Sequence, residues 1–423
     1  MPLGAIAPVR RRRCWEPVPL RSNLVGGCLH KPLQQDCSHY REGAAVLELG
    51  EGFFRPDSRP SRDLSVLIAA GLRQGGAQRP QRWLDLMAGC GIRALRWGLE
   101  ACADEAPLLP ELWVNDADGE RGPLLQRNLA PLTAFGERVQ LSQLPAEVLL
   151  RQAYLDQRYF DLIDLDAFGC PNALLQASVQ ALAFEGVLLL ASTDGRSPTG
   201  HDRPAAVRRF GAAARVHPAS WEIALRLQFA ALAREAWLLG RGLQPLLAFS
   251  EGRTFRLAIR LRQHMQPKEE HQLGLLARCD ACGAQAIQPL LRLQGWPPCA
   301  CSNAGGRWAV SGPLWLGPLQ NQSFLQDLRR LGEGMPASIA PATRRLLERL
   351  SADPGLPPTV WPTAELAQRL RLPGPPPQLD LVTALRAQGF NAFGSAVMAG
   401  QVRTDAPYER LLQCCRNLDL EDR

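Results

Sequence analysis

Arg82-Trp83-Leu84-Asp85-Leu86-Met87-Ala88-Gly89-Cys90-Gly91 is a short apolar run ending in a glycine turn, and helix-patterned sequence follows from Ile92 to Glu100. A glycine turn between a strand and a helix lets a ligand approach the backbone, and the helix N-terminus beyond it favours polar or anionic groups. Alone, the turn fits a tight connection that binds nothing equally well, because the third glycine of the dinucleotide fingerprint is absent. The next strand, Leu112–Val114, ends in Asn115-Asp116. A carboxylate at that tip can accept from both hydroxyls of a ribose; the alternative is a solvated loop aspartate. From Trp83 to Leu261 short apolar runs alternate with helix-length segments, which predicts βαβ units and a parallel sheet.

A third strand, Phe160-Asp161-Leu162-Ile163-Asp164-Leu165, delivers Asp166-Ala167-Phe168-Gly169-Cys170-Pro171 at its carboxyl end, the edge where open α/β sheets bind ligands. A carboxylate, an exposed carbonyl and an aromatic ring can act together on a nucleobase. The two acceptors hold its exocyclic NH2 while the ring stacks on its face. Held so, the amine's lone pair points at a sulfonium methyl and the carboxylate is placed to take the released proton. A helix N-cap aspartate beside a core phenylalanine is the plainer alternative. Gln244–Ser250 and Thr254–Leu261 then read as two strands joined by Glu251-Gly252-Arg253. A final hairpin appended to a parallel sheet is typical of S-adenosylmethionine-dependent methyltransferases and argues against a nicotinamide dehydrogenase.

The remaining composition bounds this reading. The chain has 423 residues, 46% hydrophobic and 21% charged, as expected of a globular protein with two to three domains. No apolar run approaches the roughly 18 residues of a membrane span. The short apolar N-terminus precedes Arg10–Arg13, the wrong order for a secretory signal, so a cytoplasmic location is expected. The net charge of +7 suits a polyanionic partner, although only Lys31 and Lys268 are lysines, a bias consistent with a GC-rich genome. Residues 1–40 read as a flexible basic tail, either touching RNA or inert.

Cys279-x2-Cys282 and Cys299-x1-Cys301 resemble a four-cysteine structural zinc site, with Gly283 supplying the left-handed turn a knuckle needs. Four thiolates would leave no open position for catalysis. The alternative is unliganded thiols in a surface hairpin. Beyond it, Thr343–Leu350, Thr363–Leu370 and Leu379–Gly389 have amphipathic helical patterns, and Phe390–Val402 is strand-like. Together they suggest a winged-helix-like module, for which RNA binding and dimerisation are equally open.

Over residues 41–415 the chain resembles the tRNA (guanine-26-N2)-dimethyltransferases. The resemblance rests on Arg41-Glu42-Gly43, Ser61-Arg62-Asp63-Leu64-Ser65, the glycine turn with Gly91-Ile92-Arg93-Ala94-Leu95-Arg96, and Asn115-Asp116. It continues through Asp164–Gly169, Ser192-Thr193-Asp194, Glu222–Arg226, Ser311–Leu319 and Arg403-Thr404-Asp405-Ala406-Pro407. It implies an α/β fold: a Rossmann-like S-adenosylmethionine-dependent methyltransferase domain at 41–265 and a smaller α+β tRNA-binding domain at 266–423 that carries the zinc knuckle. The implied reaction is methylation of the N2 amine of a guanine in tRNA, with S-adenosylmethionine as cofactor and no protein partner indicated. Carried over by position, Arg62, Arg93 and Asp116, with Asp85, Gly89 and Gly91 of the turn, would hold the cofactor. Asp166 would hold the target amine and Phe168 would stack on the base. Two positions depart from the family pattern. Ala167 stands where a proline precedes the aromatic residue, so the carbonyl is kept but its stiffening is lost. Leu144-Pro145 stands where Asp-Ala follows the third strand, so a contact to the adenine amine is expected to be missing. These departures leave two further readings open: an amino-methyltransferase acting on another base, and a non-catalytic tRNA-binding protein that kept the fold.

Overall fold

The computed structural model describes residues 39–75, 79–103, 108–301 and 306–421. All but the last two positions of the expected basic tail at 1–40 lie outside the described residues.

A hairpin of β1 (Tyr40–Glu42) and β2 (Ala45–Leu47) leads to α1 (Arg59–Gln74). There follow β3 (Arg82–Asp85), α2 (Ile92–Arg96), β4 (Glu111–Asn115), α3 (Arg121–Leu129), β5 (Val139–Ser142) and α4 (Ala146–Leu155). The chain continues through β6 (Phe160–Asp166), α5 (Leu175–Ala181), β7 (Leu182–Ser192), α6 (Arg203–Phe210), α7 (Ser220–Leu238), β8 (Gly242–Glu251) and β9 (Thr254–Arg262). The helix expected over Ile92–Glu100 is α-helical only to Arg96 and continues as a π turn from Trp97 to Ala101.

Seven strands form one sheet in the order β5-β4-β3-β6-β7-β9-β8. The first five are parallel, and β9 is inserted antiparallel between β7 and β8. The parallel strands are buried on both faces, which explains their near-continuous apolar runs: Trp83, Leu84, Leu112, Leu162, Ile163 and Leu188 are fully buried. Strand order reverses between β3 and β6, so their carboxyl ends open a crevice.

The second half begins with β10 (Leu273–Cys279), β11 (Gln285–Pro289) and β12 (Trp308–Trp315), an antiparallel sheet in the order β11-β10-β12. Next come α8 (Gln322–Gly334), α9 (Pro341–Ser351), β13 (Val360–Pro362), α10 (Thr363–Leu370), α11 (Gln378–Ala387), β14 (Ala392–Gly394), β15 (Gln401–Thr404) and α12 (Tyr408–Glu421). The strands β13-β15-β14 form a small antiparallel sheet, and α10, α11 and α12 close a core around Trp361, Leu366, Leu381, Leu385 and Leu411. This matches the helices and short strands expected there.

Elements from both sides of the boundary expected at 265/266 share one core. Helices α8 and α9 return to cover α1, and Leu325, Leu328, Leu346, Leu347 and Leu350 enter the same core as Leu64 and Leu67. The described residues from His39 onward belong to one compact unit. Apolar stripes on α8 and α9 are buried against α1, against each other and against β8.

A buried charge network crosses the same junction. Arg403 of β15 pairs with Glu222 of α7 at 2.9 Å and with Asp353 at 2.9 Å, and Arg226 shares Glu222 at 2.7 Å. Arg226 also donates to the carbonyls of Trp315, Gly317 and Gly355. All four charged side chains are fully or almost fully buried. Removing one partner from such a network strands the others without water. Arg403→Ala is therefore expected to lower the unfolding free energy by about 3–5 kcal/mol in urea denaturation; a loss below about 1 kcal/mol would show that the junction is held by other contacts.

Candidate active site

Three carboxylates and two guanidiniums meet at the crevice. Strand β3 ends in Asp85 and β6 in Asp164 and Asp166, while α2 contributes Arg93 and β9 contributes Arg256. Arg93 bridges the β6 pair, with Nη1 at 3.3 Å from Asp164 Oδ2 and Nη2 at 2.5 Å from Asp166 Oδ2. Arg256 reaches the same Asp166 Oδ2 at 3.3 Å and is itself fixed by Glu251 at 2.7 Å. Asp166 Oδ1 has no partner among the described residues and its carboxylate is one-third exposed, so one oxygen faces the crevice mouth.

The electrostatics divide the three acids. Burial and the neighbouring Asp164 push Asp85 up to about 8, with Arg93 opposing. Burial also raises Asp164, against the pull of Arg93 and a hydrogen bond from Ser65 at 3.1 Å. Burial would raise Asp166 too, but the Arg93 and Arg256 guanidiniums bring it down to about 2. Asp166 is thus a permanent carboxylate at neutral pH, while Asp85 is held largely protonated. Asp85 is buried and accepts from the Ala94 N–H at 3.4 Å, so it lies beneath the α2 N-terminus rather than at the ligand surface.

Phe168 projects from the loop after β6 and is 74% exposed. Phe53, which no sequence pattern singles out, is 71% exposed and meets it edge to face with ring centroids 5.3 Å apart. Two exposed rings, one of them two residues beyond Asp166, offer stacking faces to a planar ligand. The loop bearing Phe168 lacks the stiffening of a proline at Ala167 but is clamped otherwise. Gly169 N–H donates to Thr193 Oγ1 at 2.6 Å, and Thr193 N–H donates back to the Gly169 carbonyl at 2.9 Å. Gly169 sits at φ +76°, a backbone state costly for other residues.

The opposite end of the crevice is built from the glycine turn. A side chain at Gly89 would meet open space, whereas one at Gly91 would strike Leu125 at 2.9 Å, so the turn leaves room for a ligand at Gly89 and is closely packed at Gly91. Asp116 accepts from Gly89 N–H at 2.8 Å through one oxygen and from Asp118 N–H at 3.0 Å through the other. Each oxygen keeps a lone pair, so the acid is oriented and still able to receive two hydroxyl groups. Asn115 brackets Leu144, donating to its carbonyl at 2.9 Å and accepting from its N–H at 3.0 Å, which fixes backbone where the expected acid is missing. An open glycine and an oriented acid at the β3 and β4 ends, with Asp166 at the end of the adjacent β6, fit an adenosyl cofactor carrying a reactive sulfonium. Arg62 is buried, paired with Glu42 at 2.6 Å and stacked over Phe54 at 4.7 Å, and its charge reaches Cys90 of the glycine turn. It braces the loop that carries Phe53.

Burial disfavours the thiolate form of both cysteines near the site. Burial pushes Cys90 up to about 11 and raises Cys170 as well. The remote cluster is different: the sulfurs of Cys279, Cys282, Cys299 and Cys301 all lie within 4.8 Å of one another. The closest approaches are 3.5 Å for Cys279–Cys301 and 3.4 Å for Cys282–Cys299. Tetrahedral thiolates around zinc stand about 3.8 Å apart, so this donor set fits that ion. Gly283 has the left-handed φ expected for a knuckle, +82°.

A profile of the N2,N2-dimethylguanosine tRNA methyltransferase family matches residues 36–416. The tRNA (guanine(26)-N(2))-dimethyltransferase of Thermococcus kodakarensis is 30% identical over 86% of this chain and 93% of its own length. The enzyme of the same description from Methanoregula boonei is 28% identical over 91% and 95%. Among solved structures, Trm1 from Pyrococcus horikoshii in complex with S-adenosyl-L-methionine superposes with a TM-score of 0.74 at 22% identity, covering 89% of this chain and 99% of that one.

The doubly paired oxygen of Asp166 makes Arg256 a positioning residue. In Arg256→Gln one of the two guanidiniums that depress the Asp166 pKa is gone, so that pKa rises. The rate at neutral pH is expected to fall about tenfold as the carboxylate loosens, and the acidic decline of the pH–rate profile to begin at higher pH than in the wild type. An unmoved profile would remove the assignment.

Proposed function

The chain belongs to the N2,N2-dimethylguanosine tRNA methyltransferase family, and from that premise we propose how its residues carry out S-adenosylmethionine-dependent dimethylation of guanine 26 N2 in tRNA. The single observation carrying the site assignment is that Asp166 Oδ1 has no partner among the described residues, two positions before the exposed Phe168 ring that meets Phe53. S-adenosylmethionine supplies, when bound, an electrophilic methyl carbon on a sulfonium. Gly89 and Asp116 hold its adenosyl portion at the β3 and β4 ends. Asp166 Oδ1 accepts from the guanine N2–H, and the Ala167 carbonyl is the neighbouring second acceptor. Phe168 and Phe53 stack on a base taken out of its helical stack, an extrusion costing a few kcal/mol.

This geometry refines the role of Asp166. A carboxylate depressed to about 2 is a weak base, so its main work is to orient the amine. The exocyclic nitrogen that has just gained the methyl is cationic and therefore strongly acidic, so a weak base suffices to receive the departing proton. The nitrogen lone pair forms the new N–C bond, the C–S bond breaks, and the proton leaves through Asp166 toward solvent. No protein nucleophile takes part, in keeping with the protonated state of Cys90 and Cys170. Arg93 acts by gripping Asp166 and Asp164.

At the four-cysteine cluster we assign structural zinc. Trp361 Nε1–H donates to the Gly283 carbonyl at 3.1 Å and the Tyr408 hydroxyl to the Cys282 carbonyl at 2.5 Å, so a metal there would tie β10 to the C-terminal module. Purified protein is expected to contain about one zinc per chain, lost in Cys282→Ser by elemental analysis; a metal-free wild type would remove the site.

Incubation with radiolabelled S-adenosylmethionine and unmodified tRNA transcripts, followed by nucleoside analysis, tests the reaction. Label is expected in N2-methyl- and then N2,N2-dimethylguanosine. Asp166→Ala is expected to abolish transfer, a loss of at least about 100-fold, with tRNA affinity nearly unchanged. Undiminished turnover in that variant would overturn the role given to Asp166.

A further inference from the structure

Between β7 and α7 the chain leaves the sheet for an excursion over residues 193–219 that contains α6. It holds five arginines, Arg196, Arg203, Arg208, Arg209 and Arg215, against two aspartates. Both aspartates are used internally. Asp194 is buried, accepts from the N–H groups of Arg196 and Ser197, and pairs with Arg209 at 2.7 Å. Asp202 caps α6 by accepting from Ala205 N–H at 3.0 Å. Arg196, Arg203, Arg208 and Arg215 are exposed and make no ion pair with another described residue. Arg253, in the β8–β9 turn, is exposed as well and packs against Gly195, where an added side chain would come within 3.3 Å of it. The contrast with the crevice, where each arginine has a carboxylate, is plain.

The excursion is rigid and joined to the base site. Thr193, at its start, is the residue that clamps Gly169 beside Phe168. Asn172, just beyond that same loop, donates to the Arg209 carbonyl at 2.8 Å. At the far end Ala213 pairs with Gly312, and Arg215 N–H donates to Ser311 Oγ at 3.0 Å, fixing the segment on β12. The uncompensated guanidiniums therefore stand at the carboxyl edge of β7, next to where a target base would enter.

We propose that this excursion is the docking surface for the tRNA phosphate backbone flanking the target guanine, with Arg196, Arg203 and Arg208 as its principal phosphate contacts. The inference rests on the tRNA reading above and extends it to a surface. Guanidinium forks match phosphate oxygens, and neutralising phosphates releases counterions, which gives salt-sensitive, sequence-independent affinity. Anchoring the strand on both sides of the target supplies binding energy against the cost of extruding the base.

The test compares two variants of equal charge loss. One carries Arg196→Gln, Arg203→Gln and Arg208→Gln. The control carries Arg329→Gln, Arg344→Gln and Arg345→Gln, three exposed arginines of α8 and α9. With unmodified tRNA transcript as the probe, the first is expected to bind at least about tenfold more weakly. The slope of log K against log salt should fall by about 2–3, close to one for each phosphate no longer neutralised. Turnover at saturating tRNA should persist, so that the loss appears in KM. The control should keep wild-type affinity and slope, and both variants should keep the wild-type melting temperature. Unchanged affinity and slope in the first variant, or an equal loss in the control, would overturn the proposal. If the wild type bound tRNA but transferred no methyl, the same slope difference would still support the surface while the catalytic reading failed.

Discussion

The guanidinium of Arg96 is fully buried, and much of the site depends on where it sits. Shut off from water, it donates instead to Glu42 of β1 at 2.8 Å, Asp63 of α1 at 2.7 Å and Glu100 of the following turn at 2.8 Å. A fourth contact, 2.9 Å to the Ser338 carbonyl, reaches the residues before α9. Arg62 shares Glu42 and Arg59 shares Asp63, so three cations balance three carboxylates. Buried charges are tolerable only when paired and hydrogen-bonded. Satisfying this set forces the β1–β2 hairpin, α1, α2 and the approach to α9 into one arrangement. The loop between β2 and α1, which carries Phe53, is drawn across the sheet's carboxyl edge as a result. Arg93, one helical turn before Arg96, then faces Asp164 and Asp166.

A second hub has the same logic. Glu222, Arg226, Asp353 and Arg403 lock β15 and the loop after α9 onto α7. Between them the two hubs account for several of the short motifs by which the chain resembles its family. Glu42, Arg62, Asp63, Glu222, Arg226 and Arg403 of those motifs all take part in buried ion pairs. A charged residue with a buried partner far along the chain tolerates substitution as poorly as one that touches substrate, and sequence pattern does not separate the two.

The same distinction governs what is legible in the sequence. The sheet, its closing hairpin, the crevice carboxylate and the cysteine cluster each have a local signature: period, turn residues, or ligand spacing. Asp166 and Phe168 follow directly from lying at a strand's carboxyl end. Phe53 carries no such signal, since an aromatic residue in a loop has no period, and its meaning comes from Phe168, more than a hundred positions away. Arg256 looks like an ordinary polar position in a strand; only the insertion of β9 beside β7 brings it to Asp166. Arg62 and Asp85, expected from position along the chain as cofactor contacts, are both buried, and only the fold reveals the pairing of Arg62 with Glu42. The return of α8 and α9 to α1 is a tertiary choice, invisible in two amphipathic stripes that declare only that they must be covered.

The asymmetry of Asp166 bears on transferring two methyl groups to one nitrogen. Before the first transfer the amine carries two N–H groups, and both the carboxylate and the Ala167 carbonyl can be engaged. Before the second only one N–H remains, so a single acceptor must orient the nitrogen. A charged acceptor makes roughly twice as strong a hydrogen bond as a neutral one, and Arg93 and Arg256 keep Asp166 charged by occupying the oxygen that faces away from the base. The methyl already installed must point where the other N–H was. On the assignment proposed here, the pair of arginines behind Asp166 matters most for the second methyl group, when the carboxylate has no help.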